Sequence, residues 1–455
     1  MKSAIQTRNR PDLLKGSINK NIIRMSLPMV VAMLFQTGFS VIDMIFVGMV
    51  SPQAIAAVSI VFPVMFFFIS FVMGIGTGLS SFVARAFGAG EIEKAGRIAA
   101  NGLAFGIVLS LLLAALGVAF ARPMFTLLGA GPEIMASVLN YCRIIFVGFI
   151  FIFFGAFGNS IIRGEGDTRT PMKFLLIQTL VNLVLDPLFI FGLGPIPAMG
   201  VWGAGLAMVM SRVVLVVLVI RHFVSGKSMV VPLTRRFRFD LSLIKEILRI
   251  GIPSTITFMS SSIGLMLFMK LVSGYGPLAI AAFGIGGRVE NIAILPALGM
   301  SGAILTIVGQ NYGADKLDRA QKTIRNSMLM LALFMLFVAG VSLLFAEPIV
   351  SIFTQDAEVV AFSVGFLYIR APFWAFMGVR MIIGAGFNGV GNPKVGLLTL
   401  LFGLFVVGLP AAVYLQASMG LNAVWLGLSL ANLSGTLAAY GTYLWRFPKS
   451  EAHGV

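Results

Sequence analysis

Twelve stretches of this sequence are apolar for long enough to cross about 30 Å of hydrocarbon at about 1.5 Å per residue. They run near 24–48, 54–80, 98–120, 136–160, 172–192, 199–221, 247–272, 278–308, 326–346, 359–384, 395–415 and 419–445. Such a chain folds as membrane-spanning helices, because lipid offers backbone polar groups no partner. Only 11% of the 455 residues are charged, against about a quarter in soluble domains. The first stretch follows a basic segment too long and polar for a cleaved signal peptide, and reads as an uncleaved span.

The net charge of +16 is explained by where its residues fall. The N-terminus carries Lys2, Arg8, Arg10, Lys15, Lys20 and Arg24. Every second connection repeats the bias: Arg85, Lys94, Arg97; Arg163, Arg169, Lys173; Lys227, Arg235, Arg236, Arg238, Lys245; Lys316, Arg319, Lys322, Arg325. The alternate connections hold Arg122 and acids such as Glu133, Glu347, Asp356 and Glu358. This asymmetry is the positive-inside pattern, and it predicts a multi-pass protein of the inner (plasma) membrane with both termini cytoplasmic. A nucleic-acid partner is not needed to explain the charge, since no soluble domain would present a binding face.

Serine 225 to lysine 245 is the longest polar stretch, and it predicts an N-lobe over 1–222, a linker over 223–245 and a C-lobe over 246–455. Landmarks on either side match at a constant offset of 225. Arg24 and Pro28 pair with Arg249 and Pro253, and Ala54-Ile55-Ala56-Ala57 with Ala279-Ile280-Ala281-Ala282. Gly74, Gly88, Ala89, Ala95, Asn101 and Pro123 pair with Gly299, Gly313, Ala314, Ala320, Asn326 and Pro348. After a three-residue slip, Gly164 and Pro171 pair with Gly386 and Pro393. The expected fold is therefore an all-α polytopic membrane protein, twelve transmembrane helices in two pseudo-symmetric six-helix bundles. Parallel repeats of this kind are common among secondary transporters. No P-loop for a primary pump occurs, and the lone Cys142 excludes an intramolecular disulfide. Only two histidines exist; His222 is assigned to a polar loop and His453 to the tail, which leaves little for intramembrane metal or histidine chemistry.

Ionisable residues at membrane depth need a reason. Gln36, Ser40 and Asp43 share one helical face of the first span, and Gln178, Asn182 and Asp186 form a second stripe at four-residue intervals in the fifth. Both carboxylates lie roughly 7–9 Å below the outer surface by helical rise. Pro187 removes the donor that would satisfy the Leu183 carbonyl. Asp43 and Asp186 are thus candidates to bind and release a proton, or to hold Na+ with Asn182 and the Leu183 carbonyl. The second half puts Phe268 opposite Asp43, and Leu409 or Gly408 opposite Asp186. Its own intramembrane charges, Arg288 and Glu290, are two residues apart, so each faces a separate partner or the substrate cavity. Gly74-Ile75-Gly76-Thr77-Gly78 lies within a span and reads as a close helix contact.

With these residues in view, the chain resembles the multidrug and toxic compound extrusion (MATE) family, in its prokaryotic DinF-like branch. The resemblance rests on Pro28, Gln36 and Asp43 in the first span, on Arg163-Gly164-Glu165-Gly166-Asp167-Thr168-Arg169-Thr170-Pro171-Met172, and on Asn182-x-x-x-Asp186-Pro187. Gly386-Phe387-Asn388-Gly389-Val390-Gly391-Asn392-Pro393 is the second-half counterpart. It implies a MATE/MOP-type fold and a monomeric antiporter, with no catalytic activity and no cofactor beyond the coupling ion, H+ or Na+. The implied cargo is small amphipathic, often cationic drugs, exported by alternating access. It also implies a cation-coupling site at Asp43, Asn159, Asn182 and Asp186, and a first helix bent at Pro28. Ala204 departs from relatives that carry threonine there, which loosens the expected hydrogen-bond network. The rival readings are a lipid-linked saccharide flippase of the same superfamily and a non-transporting receptor or scaffold.

Overall fold

The computed structural model describes residues 12–50, 52–192, 194–231 and 237–448. Lys2, Arg8, Arg10, Arg235, Arg236 and His453 lie outside them. The helices of the first half are α1 (Ile18–Gly48), α2 (Pro52–Gly88), α3 (Ile92–Leu127), α4 (Pro132–Val147), α5 (Phe149–Gly164), α6 (Arg169–Phe191) and α7 (Gly200–Val224). The second half contributes α8 (Leu241–Ser273), α9 (Pro277–Gly313), α10 (Leu317–Leu344), α11 (Ala346–Ser351), α12 (Ala357–Arg370) and α13 (Trp374–Gly389). It ends with α14 (Lys394–Leu401), a π-helical segment Phe402–Gly408, α15 (Leu409–Met419) and α16 (Leu421–Arg446). Among the described residues eleven helices are long and apolar enough to cross a membrane, and counting the bent pair α4–α5 as one span makes twelve.

Several helices outrun their apolar stretches at the basic ends. α1 begins at Ile18, α8 at Leu241 and α10 at Leu317, while α2 continues to Gly88. Lys20, Arg24, Arg85, Lys94, Arg97, Lys245, Arg319, Lys322 and Arg325 therefore lie within helices rather than loops. Hydropathy marks the hydrocarbon, whereas a helix continues into water as long as its hydrogen bonds do. His222 is a correction of the same kind. It lies in the last turn of α7, buried, with its ring edge-on to Phe174 and Phe223.

The chain packs as two compact units. Of the described residues, unit 2 holds those in 12–30 and 253–448, and unit 1 those in 31–252. The divisions fall inside α1 and α8, beside Pro28 and Pro253, and not at the polar linker. Glycines make the close approaches that this requires. In unit 1 a Cβ on Gly78 of α2 would collide with the Ile247 carbonyl and lie 2.9 Å from the Gly251 nitrogen. In unit 2 a Cβ on Gly299 of α9 would lie 3.0 Å from the Val30 nitrogen. The glycine-rich run of the second span is thus a helix-packing surface.

The repeat is more regular in three dimensions than the glycines alone suggest. A Cβ on Gly164 would press on Val83 and the Ser80 carbonyl, while one on Gly389 would press on Val308 and the Leu305 carbonyl. Gly164 therefore pairs with Gly389, not Gly386, and the offset of 225 persists through the fourth span of each half. The following turns agree, since Asp167 N–H donates to the Ile162 carbonyl and Asn392 N–H to the Phe387 carbonyl. The three-residue deletion lies just beyond, before Pro393. The π-helical segment then restores one residue. Pro187 and Trp202 consequently match Pro410 and Trp425 at an offset of 223, which sets Leu409 opposite Asp186.

Packing of α6 on α7 fixes the polar stripe described next. Met199 N–H donates to the Phe189 carbonyl at 2.9 Å, and a Cβ on Gly203 would collide with that same carbonyl. Gly203→Ala is expected to force the two helices apart and destabilise unit 1 by about 1–3 kcal/mol. A lowered thermal unfolding midpoint in detergent would show it; an unchanged midpoint would mean that this contact yields freely.

Candidate functional site

Three helices of unit 1 bring the acids together. Asp43 lies in α1, five residues before its end at Gly48, and Asp186 lies in α6, five before Phe191. Asp186 is buried and Asp43 half-buried. Their carboxyls are close enough to interact directly. Two carboxylates repel at that range, and a proton held between them would replace the repulsion with a hydrogen bond.

The pair continues into a chain of neutral groups. The Asn182 amide nitrogen donates to Asp186 Oδ2, one helical turn away. Its carbonyl oxygen accepts from Ser211 Oγ of α7 at 3.0 Å, and that hydroxyl is also 2.7 Å from the Met208 carbonyl. Ala204 is buried in the same helix, so α7 supplies its polar contact from Ser211, two turns further on. Tyr141 of α4 is buried and close enough to interact electrostatically with both carboxyls. Its ring edge would lie 3.1 Å from a Cβ on Gly205, so a glycine makes room for it. Ser211 and Tyr141 were not marked by the sequence, because each meets the acid site from a different helix.

Other residues singled out above occupy different surroundings. Gln178 is buried, and its Oε1 accepts from Arg212 Nη1 at 3.0 Å, so it is engaged and not open to a cavity. Gln36 and Ser40 are exposed on α1, Ser40 Oγ donating to the Thr37 carbonyl at 2.7 Å. Asn159 of α5 is buried, its Oδ1 without a hydrogen-bond partner, and no described hydrogen bond joins it to the acid pair. Pro28 and Pro187 both lie inside their helices.

Among the described residues no equivalent pair of acids occurs in unit 2. The position of Asn182 falls in the π-helical segment, where Gly403 and Gly408 pack against Ala431 of α16, and Leu409, opposite Asp186, begins α15. The second-half charges separate as their spacing predicts. Glu290 points inward to an ion pair with Arg370, whose Nε donates to Glu290 Oε2 at 3.1 Å while Nη2 contacts Oε1. Glu290 is thus committed to a partner 80 residues away rather than open to solvent. Arg288 is exposed. Among the described residues no cluster of three metal-binding side chains occurs.

Comparison with known proteins places this architecture. The MatE family profile matches residues 28–188 and again 253–414. A FAD transporter of Shewanella oneidensis is 27% identical over 439 residues, covering 95% of this chain and 96% of that protein. A probable multidrug resistance protein NorM of Thermotoga maritima is 28% identical, covering 90% of this chain and 89% of its own. A solved structure described as the outward-facing conformation of a multidrug resistance MATE family transporter superposes with a TM-score of 0.89. It is 29% identical and covers 96% of this chain and 97% of its own.

Proposed function

Because the chain belongs to the MatE family, whose members are membrane transporters and not enzymes, we propose that it is a proton-coupled efflux antiporter for amphipathic, chiefly cationic compounds. The observation that carries this reading is the close approach of the Asp43 and Asp186 carboxyls, with Asp186 buried. A pair holding one proton bears one negative charge in a poorly solvated site and attracts a cation. A second proton removes that charge. Cation and proton therefore compete for the same two carboxyls, which is the requirement for exchange.

Asn182 and Ser211 hold Asp186 in position, and Tyr141 lies beside both acids. Protonation alters the charge on α1 between Pro28 and Gly48, so the bend available at Pro28 is the element that it biases. The basic connections support a plasma-membrane orientation with cytoplasmic termini, so that inward proton entry drives outward export. One charge crossing 100 mV releases about 2.3 kcal/mol, enough for at least tenfold accumulation on the far side.

The test is an imposed pH gradient across proteoliposomes, followed on addition of ethidium in sodium-free and in sodium-containing buffer. Ethidium is expected to collapse the gradient without sodium. A strict sodium requirement would replace the proton by sodium as the coupling ion. Silence with ethidium and other cationic dyes would favour the saccharide-flippase reading.

A further inference from the structure

We propose that unit 2 carries a recognition site for an acidic group, carboxylate or phosphate, on amphipathic solutes, with the Arg288 guanidinium as its anion-binding element. The inference deepens the efflux reading and rests on it. Arg288 lies about 16 Å along α9 from Pro277, half the thickness of a bilayer's hydrocarbon. It is exposed, and among the described residues it has no hydrogen-bond or ion-pair partner. An arginine at that depth is too far from either surface to snorkel, and bare hydrocarbon does not solvate it. The face that carries it is therefore a wet one.

The local surface is shaped to admit a ligand. The opposite side of α9 is the packed side, with Phe283, Gly286 and Val289 buried. Around Arg288, a Cβ on Gly284 or on Gly287 would meet nothing within 4 Å, so two missing side chains leave open space beside the guanidinium. Asn291, one turn on, is exposed on the same face and adds an amide donor. Ile280 and Ile292 are exposed two turns before and one turn after, and offer apolar contact to the body of a ligand.

Charge balance points the same way. Glu290 is the nearest acid in the chain, and Arg370 already engages both of its oxygens. Arg288 is left as an uncompensated positive charge with a planar fork of donors, which matches the two oxygens of a carboxylate or phosphate. A lipid headgroup lies near the bilayer surface, so the ligand expected at mid-depth is a solute in transit. An anion-binding arginine in unit 2 extends the cargo range to zwitterionic and anionic amphipaths.

Rhodamine B and its ethyl ester test this, since they differ only in a free carboxylate that is ionised at neutral pH. Transport of each dye would be measured in proteoliposomes for wild type, Arg288→Gln and Arg288→Lys. Arg288→Gln is expected to raise KM for rhodamine B roughly tenfold or more, the loss of one charge-assisted contact, and to leave the ester unchanged. Arg288→Lys should fall between, keeping the charge without the fork. Equal losses for both dyes, or no loss for either, would overturn the proposal. If wild type exports the ester but not rhodamine B, this inference alone fails; if it exports neither, the efflux reading fails first.

Discussion

Replacing Asp186 by asparagine is expected to reduce cation-driven proton flux by about 100-fold or more. Losing one member of a buried, hydrogen-bonded charged group costs about 2–5 kcal/mol, and asparagine can neither attract the cation nor exchange the proton. Asp43→Asn should behave in the same way, because two carboxyls this close titrate as one pair. The pH dependence of binding separates this from simple misfolding. In wild type each bound cation displaces a proton, so the apparent Kd should rise tenfold per unit of acidification across the range where the pair titrates. In either mutant that slope should flatten while dye binding remains measurable. Mutants with wild-type flux and slope would place the coupling chemistry elsewhere in the chain.

The second large effect concerns stability. Arg370→Met would leave the largely enclosed Glu290 without its cation, and breaking a pair whose arginine is buried costs up to about 3–5 kcal/mol. The expected result is aggregation, or a strongly lowered unfolding midpoint in detergent. The double replacement Arg370→Met with Glu290→Met should recover that loss, since both charges go together. Arg370 also has a buried Nη1 without a partner, so the doubly apolar protein is expected to equal or exceed wild type. A stable single mutant would show that Glu290 is neutralised by other means.

What could be read from sequence divides along physical lines. The spans were legible because hydrocarbon thickness imposes a length, and the repeat because identical turns recur at one offset. The pairing of Gly164 was misread because glycines at 386, 389 and 391 offer three near-equivalent registers, and only the carbonyls that they press against distinguish them. The π-helical segment has no residue signature, so the choice between Gly408 and Leu409 stayed open until it was located. The stripe of Asn182 and Asp186 was visible through four-residue spacing. Ser211, Tyr141 and Arg370 were not, since each meets its partner on another helix and not at a helical spacing along its own.

The boundary inside α1 and α8 bears on how such a chain arose. Residues 18–30 pack with the second repeat, and residues 241–252 with the first. A single ancestral repeat folded alone would leave the opening of its first helix without the surface that holds it. Two copies would supply that surface to each other by reciprocal exchange, the arrangement that domain swapping produces. Fusion of the two copies would make the exchange permanent. A gene cut at the polar linker would accordingly yield two fragments that complement one another but do not stand alone.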